Sequence, residues 1–332
     1  MIKNKFLKWT FIVILALVAL IVLVLVGFSL GEKVMFFDFY KDAEKEIAIP
    51  GLNEDYVPQG FDYIEEKELY LACGYMANGE ASRMYVIDKD GKATYSRMKN
   101  ADGSGYHGHA GGIDHLGDYV YVSSDSSYDL FLLSDVLDGD GSATVVKTVN
   151  VFNDPAFCEI KNGYLYLGTY YYPEKYETPK NYHFTTPAGD YNTAIMTVYK
   201  LDETTGELAS DLPEKIYSIP GMVQGMTFAD DDTMILVTSW GLSKSHLYFY
   251  DLEKAEFQAK TTTPRTFDVD GTSYNVVFLD SASLIADVVA PPMAEEILVR
   301  DGRVYVMNES ASNKYIFGKL TTGSHVYSYP VK

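Results

Sequence analysis

From Thr10 to Leu30 the chain carries no charged residue. From about residue 45 the pattern changes. Short stretches alternate apolar and polar positions and are separated by turn pairs such as Asn162-Gly163 and Asp301-Gly302. An unbroken apolar run of this length predicts a helix that spans a bilayer, and a period of two predicts half-buried strands. In the alternating region a single phrase recurs five times: a small or polar step, an apolar strand, a turn, then a second apolar strand. The copies are Val57-Pro-Gln-Gly-Phe61 with Leu69-Tyr-Leu71, and His109-Ala-Gly-Gly-Ile113 with Val120-Tyr-Val122. Next come Asp154-Pro-Ala-Phe-Cys158 with Leu165-Tyr-Leu167, and Met222-Val-Gln-Gly-Met226 with Ile235-Leu-Val237. The last is Met293-Ala-Glu-Glu-Ile297 with Val304-Tyr-Val306.

Repeats of several tens of residues, each a small set of strands, read as blades. The fold expected over residues 45–332 is therefore all-β, a five-bladed β-propeller. A sixth blade is the alternative if residues 256–290, longer than a blade needs, hide one. Third strands are expected at 83–88, 128–133, 194–199 and 245–250, with a long Tyr- and Pro-rich insertion from 173 to 192. Such loops on rigid scaffolds often carry binding. His325-Val-Tyr-Ser-Tyr-Pro330 reads as a third strand with no fourth after it, and residues 45–50 read as an outer strand with no blade before it. An open ring would expose unpaired edges, so the two are expected to pair and close it. No helix is predicted after the N-terminal one.

The repeated phrases resemble the β-propeller superfamily in its broad form, with NHL-type, YVTN-type and gluconolactonase-like repeats, over about residues 45–332. That resemblance implies four-stranded blades, a central channel and a ligand or metal site at its mouth. It carries over no catalytic residue, because no family motif matches residue by residue.

Lys3, Lys5 and Lys8 precede the apolar run. Its 21 residues span about 30 Å as a helix, the thickness of a bilayer core. The basic flank keeps the N-terminal side in the cytoplasm. The expected organisation is a cytoplasmic tail at 1–9, a membrane anchor at 10–30, a linker at 31–44 and an extracellular domain at 45–332, on the surface of a bacterial cell. A cleaved signal is the alternative, although Gly27-Phe-Ser-Leu-Gly31 is a weak cleavage site. The cluster Phe36, Phe37, Phe39 and Tyr40 suits a stalk packed on the domain edge.

The net charge of −19 argues against nucleic acid as a partner and permits a divalent cation, Ca²⁺ or another. Two cysteines, Cys73 and Cys158, exclude a disulfide scaffold and read as buried free thiols. The Gly-rich stretches lack the context of a phosphate loop, no Gly-x-Ser-x-Gly occurs, and the acidic Asp138-Gly-Asp-Gly141 reads as a hairpin turn.

Aligning the five phrases on Phe61, Ile113, Cys158, Met226 and Ile297 places Gln59, Gly111, Ala156, Gln224 and Glu295 in one column. In a propeller the innermost strand lines the channel, so this column should ring its mouth. His109, Asp154 and Glu296 flank it, and Tyr75, Asp125, Tyr170, Trp240 and Glu309 follow the second strands. Three readings stand. The channel is a hydrated structural feature. Alternatively, Gln59, Gln224, Glu295 and His109 hydrogen-bond a small molecule, glycan or peptide, with Tyr170 and Trp240 as stacking platforms. In the third, His109, Asp154 and Glu295 hold a divalent cation that activates water, making a hydrolase or lyase for an ester, lactone or sugar. A membrane-anchored binding or scaffolding module is the favoured function, and the metal-dependent enzyme is the alternative.

Overall fold

The computed structural model describes residues 2–138, 141–202, 204–315, 318–321 and 323–332. The centre of the expected 138–141 hairpin turn lies outside them. Helix α1 (Ile2–Met35) is followed by the short helix α2 (Phe37–Asp42). The segment Leu7–Met35 is long and apolar enough to cross a membrane. Helix α1 thus continues past Leu30, since Gly31 to Met35 contains no proline to stop it. The stalk then packs on the domain: Phe36 and Phe39 are buried, and Phe39 stacks on Tyr329 with ring centroids 5.3 Å apart.

Among the described residues, strand pairing gives antiparallel four-stranded units, a β-propeller, and the outer strands of blades one and two also pair in parallel. Blade one contains Tyr56–Ile64, Leu69–Met76, Arg83–Asp88 and Ala93–Lys99. Blade two contains Ile113–Leu116, Tyr119–Ser124, Ser127–Leu132 and Ser142–Asn150. Blade three contains Pro155–Lys161, Tyr164–Thr169, Ala194–Asp202 and Lys215–Ile219. Blade four contains Val223–Phe228, Thr233–Thr238, Ser245–Asp251 and Leu284–Ala290. Blade five contains Ala294–Arg300, Arg303–Asn308, His325–Pro330 and, as its outer strand, Glu44–Ala48.

Closure is therefore as the sequence predicts. Glu44–Ala48 pairs antiparallel with His325–Pro330. Arg303 fastens the joint: its guanidinium donates to the Asp42 carbonyl at 3.1 Å and to Ser328 Oγ at 2.7 Å, and pairs with Glu44 at 3.2 Å.

Residues 256–290 hold no further blade. They form most of helix α3 (Leu252–Thr261), a hairpin of Thr266–Val269 and Thr272–Phe278, and the outer strand of blade four. The hairpin pairs in parallel with Lys215–Ile219 and covers the outer edge of blade three. The short helices Phe37–Asp42 and Leu133–Asp138, together with helix α3, correct the expectation of no helix after the first. Asp251 caps it by accepting from the Lys254 amide at 2.9 Å, and Leu252, Ala255 and Ala259 turn to the core at helical spacing.

The alternation builds a core between each pair of blades. Val120 and Val122 pack towards blade one while Tyr121, between them, packs towards blade three. Val304 and Val306 face blade four and Tyr305 faces blade one. Cys73 and Cys158 are buried free thiols in two of these cores, as expected.

At particular glycines neighbouring inner strands approach too closely for a side chain. A Cβ on Gly112 would lie 2.6 Å from the Cys158 amide nitrogen, and one on Gly60 would lie 2.6 Å from that of Ile113. Gly112→Ala should therefore destabilise the fold by about 1–3 kcal/mol, the usual cost of overpacking. Urea unfolding checks this, and unchanged stability would mean that the inner ring is looser than described.

Candidate functional site

Each inner strand must turn its N-terminal end inward without breaking the ladder, and a β-bulge is how a strand does so. Pairing in blade one jumps from Pro58↔Gly74 to Gly60↔Cys73, leaving Gln59 without a cross-strand partner. The same jump leaves out Ala156 in blade three, Gln224 in blade four and Glu295 in blade five. These are the column residues of the repeated phrase. With Gly111 of blade two, they line one cavity of about 930 Å³ at the channel mouth.

The mouth is built from three kinds of group. The first is a buried carboxyl pair. Glu295 and Glu309 are hydrogen-bonded to each other. Gln59 Nε2 donates to Glu309 Oε2 at 3.1 Å, and Gln224 Nε2 donates to Glu295 Oε1 at 3.4 Å. Burial pushes both carboxyl groups above their ordinary range, and the charge of Glu309 raises Glu295 further. A carboxyl group that keeps its proton donates as well as accepts, so a pair raised in this way offers both kinds of hydrogen bond. The second is a cationic and phenolic edge, in which Lys314 Nζ donates to the Tyr75 hydroxyl and Tyr315 hydrogen-bonds Glu309.

The third is an aromatic wall. Trp240 stacks on Tyr172 at 3.8 Å, meets Tyr176 edge-on at 6.0 Å and carries the Lys175 ammonium 4.7 Å above its ring. Tyr170 meets Tyr176 edge-on at 5.8 Å, and its hydroxyl donates to the Ser239 carbonyl. Tyr172 thus occupies one face of the expected platform Trp240. The insertion after the second strand of blade three forms this wall: Lys175 to Pro179 and Tyr182 all border the cavity.

All six candidate ligand residues, Gln59, Gln224, Glu295, Tyr170, Trp240 and His109, border the cavity. The metal set expected from sequence does not converge. His109, Asp154 and Glu295 border the same space, but among the described residues their ligand atoms do not meet within 4.8 Å. His109 instead stacks on Tyr75 at 4.9 Å, and Asp154 is exposed and accepts from the Ser126 amide at 2.7 Å. His107 joins His109 at a separate hollow of about 220 Å³. Glu296 points away from the mouth and is buried. Lys314, Tyr315, Lys175 and Tyr176 were not foreseen. They come from loops outside the repeated phrase, and only the length of the insertion signalled any of them.

No protein-family model matches the chain, and no curated protein matches it in sequence. Solved structures resemble it only distantly. It is similar to the PQQ-bound form of an aldose sugar dehydrogenase from Streptomyces coelicolor, at 11% identity and a TM-score of 0.48, over 87% of this chain and 98% of that one. A chain of Kuenenia stuttgartiensis hydrazine synthase gives 12% identity and 0.44, over 82% and 83%. A gluconolactonase from Xanthomonas campestris gives 10% and 0.40, over 88% and 96%. None of these likenesses bears on chemistry.

The carboxyl pair has a signature in pH. A carboxyl group whose folded value is raised adds stability below its unfolded value, and loses it as pH rises through the folded value. Stability of the full chain in detergent should therefore decline, through this pair, as pH rises above the ordinary carboxyl range. Glu309→Gln should flatten that decline. Melting curves from pH 4 to 8 check this, and identical slopes for the two proteins would contradict it.

Proposed function

We propose that this is a membrane-anchored, extracellular binding module whose channel mouth holds a small polar ligand of carbohydrate type. The carrying observation is the convergence of bulged Gln59, Gln224 and Glu295 on one cavity of about 930 Å³ walled by Tyr170, Tyr176 and Trp240. Cavities of this size suit small-molecule recognition, in which a few placed polar groups fix orientation. Amides and a carboxyl pair that keeps a proton offer donors and acceptors close together, matching neighbouring hydroxyl groups on a sugar ring. Aromatic side chains match the apolar face of the same ring.

Anchoring rests on the apolar segment Leu7–Met35, whose side chains from Leu7 to Phe28 are exposed. An exposed apolar surface of that extent is stable in lipid and not in water. Lys3, Lys5 and Lys8 on the N-terminal side of the span favour a cytoplasmic N-terminus, with the propeller outside on a bacterial surface.

Calorimetric titration of the detergent-solubilised full chain with neutral oligosaccharides tests the reading. At least one should bind saturably, and Gln224→Ala and Glu309→Gln should each weaken it about tenfold or more, about 1.4 kcal/mol. No binding to any sugar tested, or equal binding by both variants, would overturn it.

A further inference from the structure

Helix α1 meets the propeller only through its last turn. Its side chains from Leu7 to Phe28 are exposed, and Glu32 is the one buried residue among its described side chains. There the helix touches the turn Gly318–Leu320, in the loop between the second and third strands of blade five. That loop lies at the mouth end of the ring. It follows Asn308, which pairs with Ala294 at the start of the inner strand, and it carries Glu309 and Lys314 to the cavity.

The direction of the helix follows from its hydrogen bonds. The Phe36 amide donates to the Glu32 carbonyl at 2.9 Å and the Tyr40 amide to the Phe36 carbonyl at 3.0 Å, so the helical ladder runs on from α1 into α2. Helix α2 leads down the outer edge to Asp42, whose carbonyl is held by Arg303 at the far end of blade five. Helix α1 therefore projects from the mouth end, away from the domain. The join is close and packed. Leu30 is the last residue of the uncharged run, and Glu32, two residues or about 3 Å of helix later, is already buried and accepts from the Tyr40 hydroxyl at 2.6 Å.

The two ends of the ring differ in surface. Tyr191, Met222 and Leu242 are exposed large apolar side chains in mouth-end loops of blades three and four, and Lys175, Lys180 and Lys244 are exposed in the same loops. The far end carries the acidic turns Glu65-Glu66 and Asp230-Asp231-Asp232. Apolar and basic side chains together favour a bilayer surface, and acidic runs are repelled by anionic lipid.

We propose that the channel mouth opens onto the outer surface of the membrane that holds helix α1, and that its ligand is the carbohydrate headgroup of a lipid in that membrane. The inference rests on the carbohydrate reading of the cavity and adds the source of the sugar and its direction of entry. Protein and lipid confined to one surface meet at an effective concentration that a free sugar does not reach, so modest contacts suffice.

The test uses the full chain in nanodiscs of phosphatidylcholine and phosphatidylglycerol. Cys73 and Cys158 are buried, so Leu242→Cys and Glu66→Cys, both at exposed positions, each carry a single fluorophore, one at either end of the ring. Headgroup spin-labelled lipid should quench the dye at position 242 several-fold more than the dye at position 66. Discs that also contain glycosyl diacylglycerols with neutral mono- or disaccharide headgroups should raise the melting temperature by several degrees, and Gln224→Ala should remove that rise. Equal quenching at the two positions, or stronger quenching at 66, would refute the orientation. Free sugars that bind while no glycolipid stabilises the protein would refute the lipid source and leave the carbohydrate reading standing. Failure of both free sugars and glycolipids would remove that reading, and this proposal with it.

Discussion

Between blades one and two, two and three, and four and five the inner strands approach so closely that backbone meets backbone, and the rest of the structure follows from that. Gly60 and Gly112 occupy positions where a methyl group would strike the amide nitrogen of the next blade. Gly225 does the same against blade five, where a Cβ would lie 2.9 Å from the Glu295 carbonyl oxygen. Strands held this close cannot simply rotate to send side chains inward. They bulge once each in blades one, three, four and five, and the bulged residue is the one delivered to the mouth. The constraint that packs the ring therefore also selects the residues that define the cavity. Polar groups are tolerated in the axis because each blade contributes only one or two, and most are paired with a neighbour.

The same geometry makes closure decisive. Parallel pairing of their outer strands joins blades one and two, but no sheet continues round the ring, so its last seam must be covalent or multiply bonded. Here one chain segment does both tasks. Residues 44–48 finish the blade built from 294–330, and the Arg303 guanidinium binds that strand and the carbonyl end of helix α2 together. Phe36 and Phe39 add apolar contact on the same blade, between it and blade four. The apolar N-terminal helix is thus joined to the seam of the ring, and a force on that helix would act on the closing strand first.

Much of this was legible in the residues. Alternation with turn pairs placed the first three strands of the blades, and the unmatched ends at 45–50 and 325–330 gave the closure, whereas the outer strands Ser142–Asn150 and Leu284–Ala290 and the hairpin at 266–278 escaped. The column from Gln59 to Glu295 identified the channel mouth because bulged positions repeat with the blades. What escaped has physical reasons. Helix α3 is short and carries only three core-facing residues, so its period is lost among strands, although Asp251 with Glu253 is an N-terminal signal. The metal triad His109, Asp154 and Glu295 failed because loop residues at the ends of different strands share a cavity without sharing a point. Lys314 and Tyr315 sit in a loop whose path no local pattern fixes.

On the proposed reading the bulged column and the aromatic wall form one ligand site, and a fluorophore already stands in that wall. The chain has two tryptophans, Trp9 in the N-terminal helix and Trp240 in the wall. Trp9→Phe therefore leaves a single tryptophan at the cavity. Titrating that variant with neutral oligosaccharides should give a saturable change in Trp240 emission, abolished when Gln59 and Gln224 are both replaced by alanine. An emission that stays flat with every sugar, or a change that survives the double replacement, would contradict the account.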